Sequence, residues 1–267
     1  MRSVITCQDD SSRSDLQGIS EAEGQTRRDL AACYRLAYRM GWNKTAFNHI
    51  SARIPDQPNA FLLNPFPSLW DEITPESLLK VDEAGNRIGA GSTDMVNKAG
   101  FIIHGAVHTA RPDVNCVFHV HTPAGVAVSM CEAGLIHASS ESLVFTGKIG
   151  YHDFEGIVLD MDERERLVSN LADKPVLILR NHGLLVAAPS IASAFSMMQV
   201  LIDACEIQVR ATACGPIKAV PHAVGLRTAN QKFSATAEEG GFGTEWPALL
   251  RWLHRAECDN SIAGRGI

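Results

Sequence analysis

The sequence predicts an α/β fold: a mixed sheet with helices on its faces. Two observations predict it. Strand-like apolar runs alternate with segments of helical periodicity along most of the chain. The composition, 45% hydrophobic and 20% charged over 267 residues, is that of a globular chain with one large core or two modest ones.

The elements follow in order. Residues 1–24 are polar, carry several acids and lack apolar periodicity, so they read as a flexible tail and not as a signal peptide. In "RRDLAACYRLAYRMGW", Leu30, Cys33, Tyr34, Ala37 and Met40 fall at helical spacing, and Gly41 stands where a C-terminal cap belongs. "NHISARIP" and "AFLLNPF" read as strands on either side of a "DQPN" turn. "TPESLLKVDEAGNRIG" reads as a short helical turn, a strand and a tight turn at "EAGN". In "NKAGFIIHGAVHTARPDV", Phe101, His104 and His108 recur at i, i+3 and i+7 of a helix that Arg111-Pro112 ends. "NCVFHVHTP" is a strand and "AGVAVSMCEAG" a short helix. "KPVLILRNHGLLVAAPS" supplies two strands around "NHG". A long amphipathic helix follows, with Ser190 as its N-cap. Met197, Met198 and Ile202 are core residues of that helix. The main domain spans residues 25–214, and residues 215–267 form an extension with a final helix in "TEWPALLRWLHRAE". The apolar residues Phe242, Trp246, Leu249, Leu250, Trp252 and Leu253 need a surface to cover, on this chain or on a neighbouring subunit.

Charge and cysteine usage exclude several roles. A net charge of −6 and no basic run exclude a nucleic-acid surface. No apolar stretch approaches the roughly 20 residues needed to cross a bilayer. Seven scattered cysteines without a CxxC pair read as reduced thiols, which predicts a cytoplasmic protein.

Chemistry concentrates in "CVFHVHTPAG". Successive strand side chains point to opposite faces, so His119 and His121 share a face and Val120 takes the other. Two neighbouring imidazoles at the end of an apolar strand have two uses: they hold a divalent metal, or they sit partly solvated on the strand edge. "LRNHGLL" adds His182 at a tight turn, where Gly183 lets the backbone turn or approach another segment closely. A strand pair and one distant histidine can build a three-ligand site with open positions.

"HGAVHTARPDVNCVFHVHTPAGVAV", followed further on by "LRNHGLLVAAPSIASAFSMM", resembles the class II aldolase/adducin family. "FNHISARIP", "NPF", "ITPESLLKVD" and "IGYHDFEG" extend the resemblance over about residues 28–213. It implies an αβα sandwich around a central, mixed and mainly antiparallel sheet. It also implies a divalent metal held by His119, His121 and His182, most often zinc, with iron(II), manganese or cobalt as alternatives. Further implications are a homotetramer and a small-molecule substrate. The reaction expected is that of an aldolase or lyase, cleaving a carbonyl, hydroxy-acid or keto-acid compound through a metal-stabilised enediolate.

Two departures from the family pattern shape the expected activity. Sugar-phosphate aldolases carry a catalytic glutamate where this chain has Gly100. Their phosphate-binding stretches are rewritten here as "FNHIS", "NPFPS" and "GSTD". Replacements for the missing base are His104 on its helix, Glu141 after the metal strand, and Tyr151 in "IGYHDFEG". Substrate contacts are expected at His49, Asn64 and Asn181, with Arg53 and Arg180 as further anion contacts. The closer resemblance is to the adducin-like branch of the family. Two other roles therefore stay open: a non-haem iron oxidative decarboxylase of a 2-keto acid, and a non-catalytic oligomeric module like an adducin head. The chain lacks the lysine-rich tail of animal adducins, which weighs against a cytoskeletal role.

Overall fold

The computed structural model describes residues 18–43, 45–89, 95–156 and 161–263. Helix α1 (Glu21–Arg39) opens at Ser20, whose side chain accepts the Glu23 N–H. Its inner face carries Leu30, Cys33, Tyr34 and Ala37, and Gly41 follows its end with a positive φ of 75°. Strands β1 (His49–Ile54) and β2 (Gln57–Leu63) form an antiparallel pair. A single 3-10 turn at Trp70–Glu72 leads to β3 (Leu79–Val81), which pairs with β2. Helix α2 (Lys98–Ala110) starts at the Asn97 cap. Strand β4 (Cys116–Val120), helix α3 (Pro123–Met130) and the single turn α4 (Ser140–Leu143) follow. Then come β5 (Ile149–His152), α5 (Met161–Leu171), β6 (Val176–Leu179) and β7 (Gly183–Ala188). Helices α6 (Ile191–Thr212), α7 (His222–Ser234) and α8 (Trp246–Ala263) complete the order.

The seven strands form one sheet in the order β3-β2-β1-β4-β7-β6-β5. Every pairing is antiparallel except β5–β6. Helices cover both faces, giving the αβα layering and the mainly antiparallel sheet that the resemblance implies. Strand alternation divides the core. On β4, Cys116, Phe118 and Val120 pack with α1 and α6, where Phe118 lies among Trp42, Trp70 and Phe195. Val117 faces the other layer, with Ile103 and Val107 of α2 and Leu167 and Leu171 of α5. Phe118 is fully buried. Truncating such a side chain costs about 3–5 kcal/mol, so β4 is a rigid support for whatever its end carries.

The structure departs from the sequence reading at several points. Helix α1 begins at Glu21, so residues 21–24 are helical; residues 1–17 lie outside the described residues. Glu23 is buried because Arg27 and Lys80 each approach its carboxylate to 2.8 Å, which explains a helical start in so polar a stretch. The helical turn expected in "TPESLL" is instead a side-chain-bonded turn, in which Thr74 and Ser77 exchange hydrogen bonds. The extension contains α7 as well as α8. On α7 only Gly225 and Ala229 are buried, so its apolar stripe is too thin to read from periodicity. Helix α8 lies on this chain, one of the two surfaces the sequence offers it: Trp246 packs at a tilt against Phe195, its Nε1 donates to Asp29 at 3.3 Å, and Arg35 pairs with Glu257.

Candidate metal centre

The site is built at the end of the sheet where β4 leaves it and β7 enters. His119 pairs with Leu185 across β4–β7, and His121 lies just beyond the strand on the same face. The β6–β7 turn supplies the third imidazole. Asn181 adopts φ 56°, and the His182 N–H donates to the Leu179 carbonyl at 3.1 Å. His119, His121 and His182 each offer a ligand nitrogen, all within 4.8 Å of one another. The ring centroids of the three pairs lie 4.6, 4.9 and 4.6 Å apart.

Three features fit this trio to a metal ion. The Nδ1–H of His119 donates to the Leu184 carbonyl at 2.9 Å, which leaves its Nε2 lone pair 2.7 Å from His121 Nε2. Burial holds all three imidazoles neutral: it lowers His119 well below the usual histidine range, lowers His121, and takes His182 to about 4. Gly183 makes the cradle. A Cβ there would stand 2.6 Å from the Val120 carbonyl oxygen, 2.8 Å from His121 Cδ2 and 3.3 Å from His119 Cε1. The donor set is all imidazole, which suits zinc and also iron or cobalt.

Behind the trio runs a buried chain of hydrogen bonds. His49 pairs with His119 across β1–β4, and their rings lie 5.4 Å apart. His49 Nδ1 is 2.8 Å from His104 Nε2. His104 Nδ1 is 2.7 Å from Ser51 Oγ, which is in turn 2.8 Å from His108 Nε2. His108 Nδ1 lies 3.3 Å from the Val114 carbonyl oxygen. The arrangement follows from two periods: His49 and Ser51 share a strand face at i, i+2, and His104 and His108 share a helix face at i, i+4. Burial lowers His49 and His104 well below their usual range. Burial, with the Arg53 charge second, takes His108 to about 3.

Gly100 stands where the resemblance implies a catalytic glutamate. A Cβ on it would lie 2.1 Å from His49 Nε2. The imidazole of His49 fills the volume that a side chain at residue 100 would occupy.

The other sequence-derived candidates take different places around the sheet. His104 has both ring nitrogens engaged, by His49 and Ser51, and is 2% exposed, so it stands behind His49. Tyr151 lies on the opposite sheet face from the trio, with the α6-side core. Its hydroxyl accepts the Leu135 N–H at 3.1 Å, and Arg180 stacks on its ring at 4.3 Å. Glu141 is on α4, which packs on α6 and α7, and its carboxylate takes the Ser140 hydroxyl. Asn64 accepts from the Tyr34 hydroxyl at 2.8 Å, on the α1 side of the sheet. Asn181 is exposed at the turn beside His182. Arg53 braces the rear of the chain through the carbonyls of His108 and Val114. The "GSTD" stretch lies outside the described residues. One neighbouring group escaped the sequence reading. His152 is buried between Glu163 (3.4 Å) and Asn170 (2.9 Å), at the parallel β5 edge near His182. Its sequence signal is its place after Tyr151 in "IGYHDFEG", where it ends β5.

Residues 28–209 match the family model described as "Class II Aldolase and Adducin N-terminal domain". A Pseudomonas aeruginosa protein provisionally named as a class 2 aldolase is 44% identical over 238 residues, 88% of this chain and 91% of that one. Alpha-adducin of Rattus norvegicus is 40% identical over 263 residues, covering 94% of this chain but 36% of the adducin. The solved L-fuculose 1-phosphate aldolase of Glaciozyma antarctica superposes with a TM-score of 0.79 at 26% identity, covering 93% of this chain and 96% of the aldolase. With a fold, a histidine trio and a sequence match that agree, the chain is a member of the class II aldolase and adducin family.

Proposed function

We propose that the protein is a metal-dependent carbon–carbon lyase of the aldolase type. It acts on a small unphosphorylated carbonyl compound, with a carboxylate beside the carbonyl as the favoured handle. The observation that carries this reading is the convergence of three neutral imidazoles at His119, His121 and His182 over a glycine that alone fits there. These residues would hold zinc. A divalent ion there supplies a Lewis acid that stabilises negative charge developing on a carbonyl oxygen. Three protein ligands leave open positions, and a carboxylate beside a carbonyl offers two oxygens to fill them. The altered "FNHIS" and "NPFPS" stretches support an unphosphorylated substrate, because Asn64 is taken up by Tyr34 and His49 spends its Nδ1 on His104, which leaves neither to donate to a phosphate.

The active assembly proposed is a cytoplasmic homotetramer. Phe47, Met95, Met130 and Phe154 support it as large apolar side chains left more than half exposed. Light scattering that finds a monomer at micromolar concentration refutes the assembly. The likeness to alpha-adducin supports a second reading, a non-catalytic oligomeric module.

One experiment separates these roles. Metal content is measured on protein purified without added metal. A panel of 2-keto and 2-hydroxy acids is then assayed beside fuculose- and ribulose-type phosphates, with zinc, manganese, cobalt or iron(II), in the presence and absence of oxygen. Metal near one per chain and oxygen-independent cleavage of an acid support the lyase. Turnover of the phosphates near one per second, with no response to the acids, refutes the substrate class. A product formed only with iron and oxygen replaces the lyase by the oxidative decarboxylase. Absence of bound metal and of turnover supports the module.

A further inference from the structure

We propose that His49, the cross-strand partner of His119 with its ring 5.4 Å away, keeps a bare Nε2 as the proton acceptor of the site, held in that tautomer by a one-directional chain through His104, Ser51 and His108. The inference rests on the lyase reading above, and it assigns the proton transfer that Gly100 cannot perform.

The direction of the chain follows from its far end. The Val114 carbonyl can only accept, so His108 Nδ1, 3.3 Å away, carries the hydrogen. His108 is neutral in its buried position, so its Nε2 is bare and accepts from Ser51 Oγ at 2.8 Å. Ser51 has one hydrogen and has now used it. Toward His104 Nδ1, at 2.7 Å, it can only accept, so that nitrogen carries a hydrogen. His104 Nε2 is then bare and accepts from His49 Nδ1 at 2.8 Å. One position remains: His49 Nε2, which has no hydrogen and, among the described residues, no hydrogen-bond partner.

The reverse direction would set the lone pair of His108 Nδ1 against the Val114 carbonyl oxygen, two acceptors facing each other in a buried place. Arg53 fixes this end by donating to the carbonyls of His108 and Val114. The chain stops there on a carbonyl and offers no route to solvent, so it orients His49 and does not conduct protons out. Gly100 keeps the bare nitrogen clear, since any side chain at that position would collide with it at 2.1 Å.

The step balances without another reactant. In the cleavage direction the substrate's hydroxyl O–H bond breaks, and its proton passes to His49 Nε2. The freed electron pair forms the carbonyl of one product. The C–C bonding pair leaves with the other fragment, and that fragment takes the proton back from Nε2 at carbon. His49 is thus the catalytic residue, and His104, Ser51 and His108 are positioning residues.

The test reads the tautomer directly and needs no substrate. Metal-free protein labelled with 15N-histidine is examined by long-range 1H–15N correlation, and His49 is assigned through its loss in His49→Asn. The expected pattern is a protonated Nδ1 and a bare Nε2. Ser51→Ala should mix the two tautomers, and Ser51→Thr, which keeps the hydroxyl, should restore one. A protonated Nε2 in the wild type, or a Ser51→Ala spectrum unchanged from it, overturns the proposal. With zinc bound and a substrate found, His49→Asn should lower kcat a hundredfold to ten-thousandfold with little change in KM and with zinc still near one per chain. Retained kcat overturns the proposal, and so does loss of zinc, which would make His49 a ligand. Should no substrate turn over, the lyase reading falls by itself and the tautomer still decides whether His49 offers a lone pair.

Discussion

Lowering the pH from 7 to 5 should remove about 2 kcal/mol of folding stability through His108 alone. This histidine is 1% exposed, stacks on Phe61 and has its pKa taken to about 3 by burial and the nearby Arg53 charge. In the unfolded chain it titrates near the ordinary 6.5. The folded pKa is the lower one, so below 6.5 the unfolded state binds a proton that the folded state refuses. The stability is complete above that value and is lost as the pH falls toward about 3. One and a half pH units below 6.5, at about 1.36 kcal/mol per unit, give the 2 kcal/mol. Burial shifts His49, His104 and His119 in the same direction, so the wild-type slope is steeper than one proton. The difference between wild type and His108→Gln isolates the single group. Urea unfolding of the metal-free proteins, followed by tryptophan fluorescence at pH 7, 6 and 5, measures it. Wild type should lose about 2 kcal/mol more than the variant between pH 7 and 5. Equal losses would show that His108 is not held neutral, and the direction of the His108–Ser51 bond would fall with it.

Gly183→Ala removes no ligand, yet its Cβ meets the Val120 carbonyl oxygen and two metal-facing rings; zinc affinity by calorimetry should fall about ten- to a hundredfold, and an unchanged value refutes the cradle. His121→Ala should lose most bound metal while keeping its circular dichroism, and metal retained at one per chain would remove His121 from the site. Glu23→Ala leaves Arg27 buried without its carboxylate; denaturant unfolding should show a loss of about 3 kcal/mol, and a cost below 1 would mean that the helix start needs no such anchor.

Strand parity made the first part of the site legible. His119 and His121 share a face because strands repeat every two residues, and no knowledge of the rest of the sheet is needed. The same reasoning could not place Tyr151. Its face depends on how β5 pairs with β6 across α5, a helix of mostly charged sequence that brings Leu167 and Leu171 to the core. Asn64 turned out to belong to Tyr34, thirty residues earlier, a contact that no local pattern announces. His49/Ser51 and His104/His108 were visible as two patterns. Their meeting required β1 to lie beside β4 with α2 laid over both, which only the topology decides. The alternation of elements disclosed the fold class well, while helices with thin apolar stripes, α5 and α7, stayed hidden.

The close approach of His49 to Gly100 also constrains how the sequence can change. An acidic side chain at residue 100 cannot be introduced while the imidazole stands 2.1 Å from where its Cβ would be. Nor can His49 be reduced to a small residue first without stranding the nitrogen of His104 that receives its proton. The two positions are therefore epistatic. Either single exchange passes through a protein that is overpacked or carries an orphaned buried histidine. A larger side chain at position 100 therefore calls for a different residue at position 49, so the residue at position 49 should foretell the residue at position 100 across relatives.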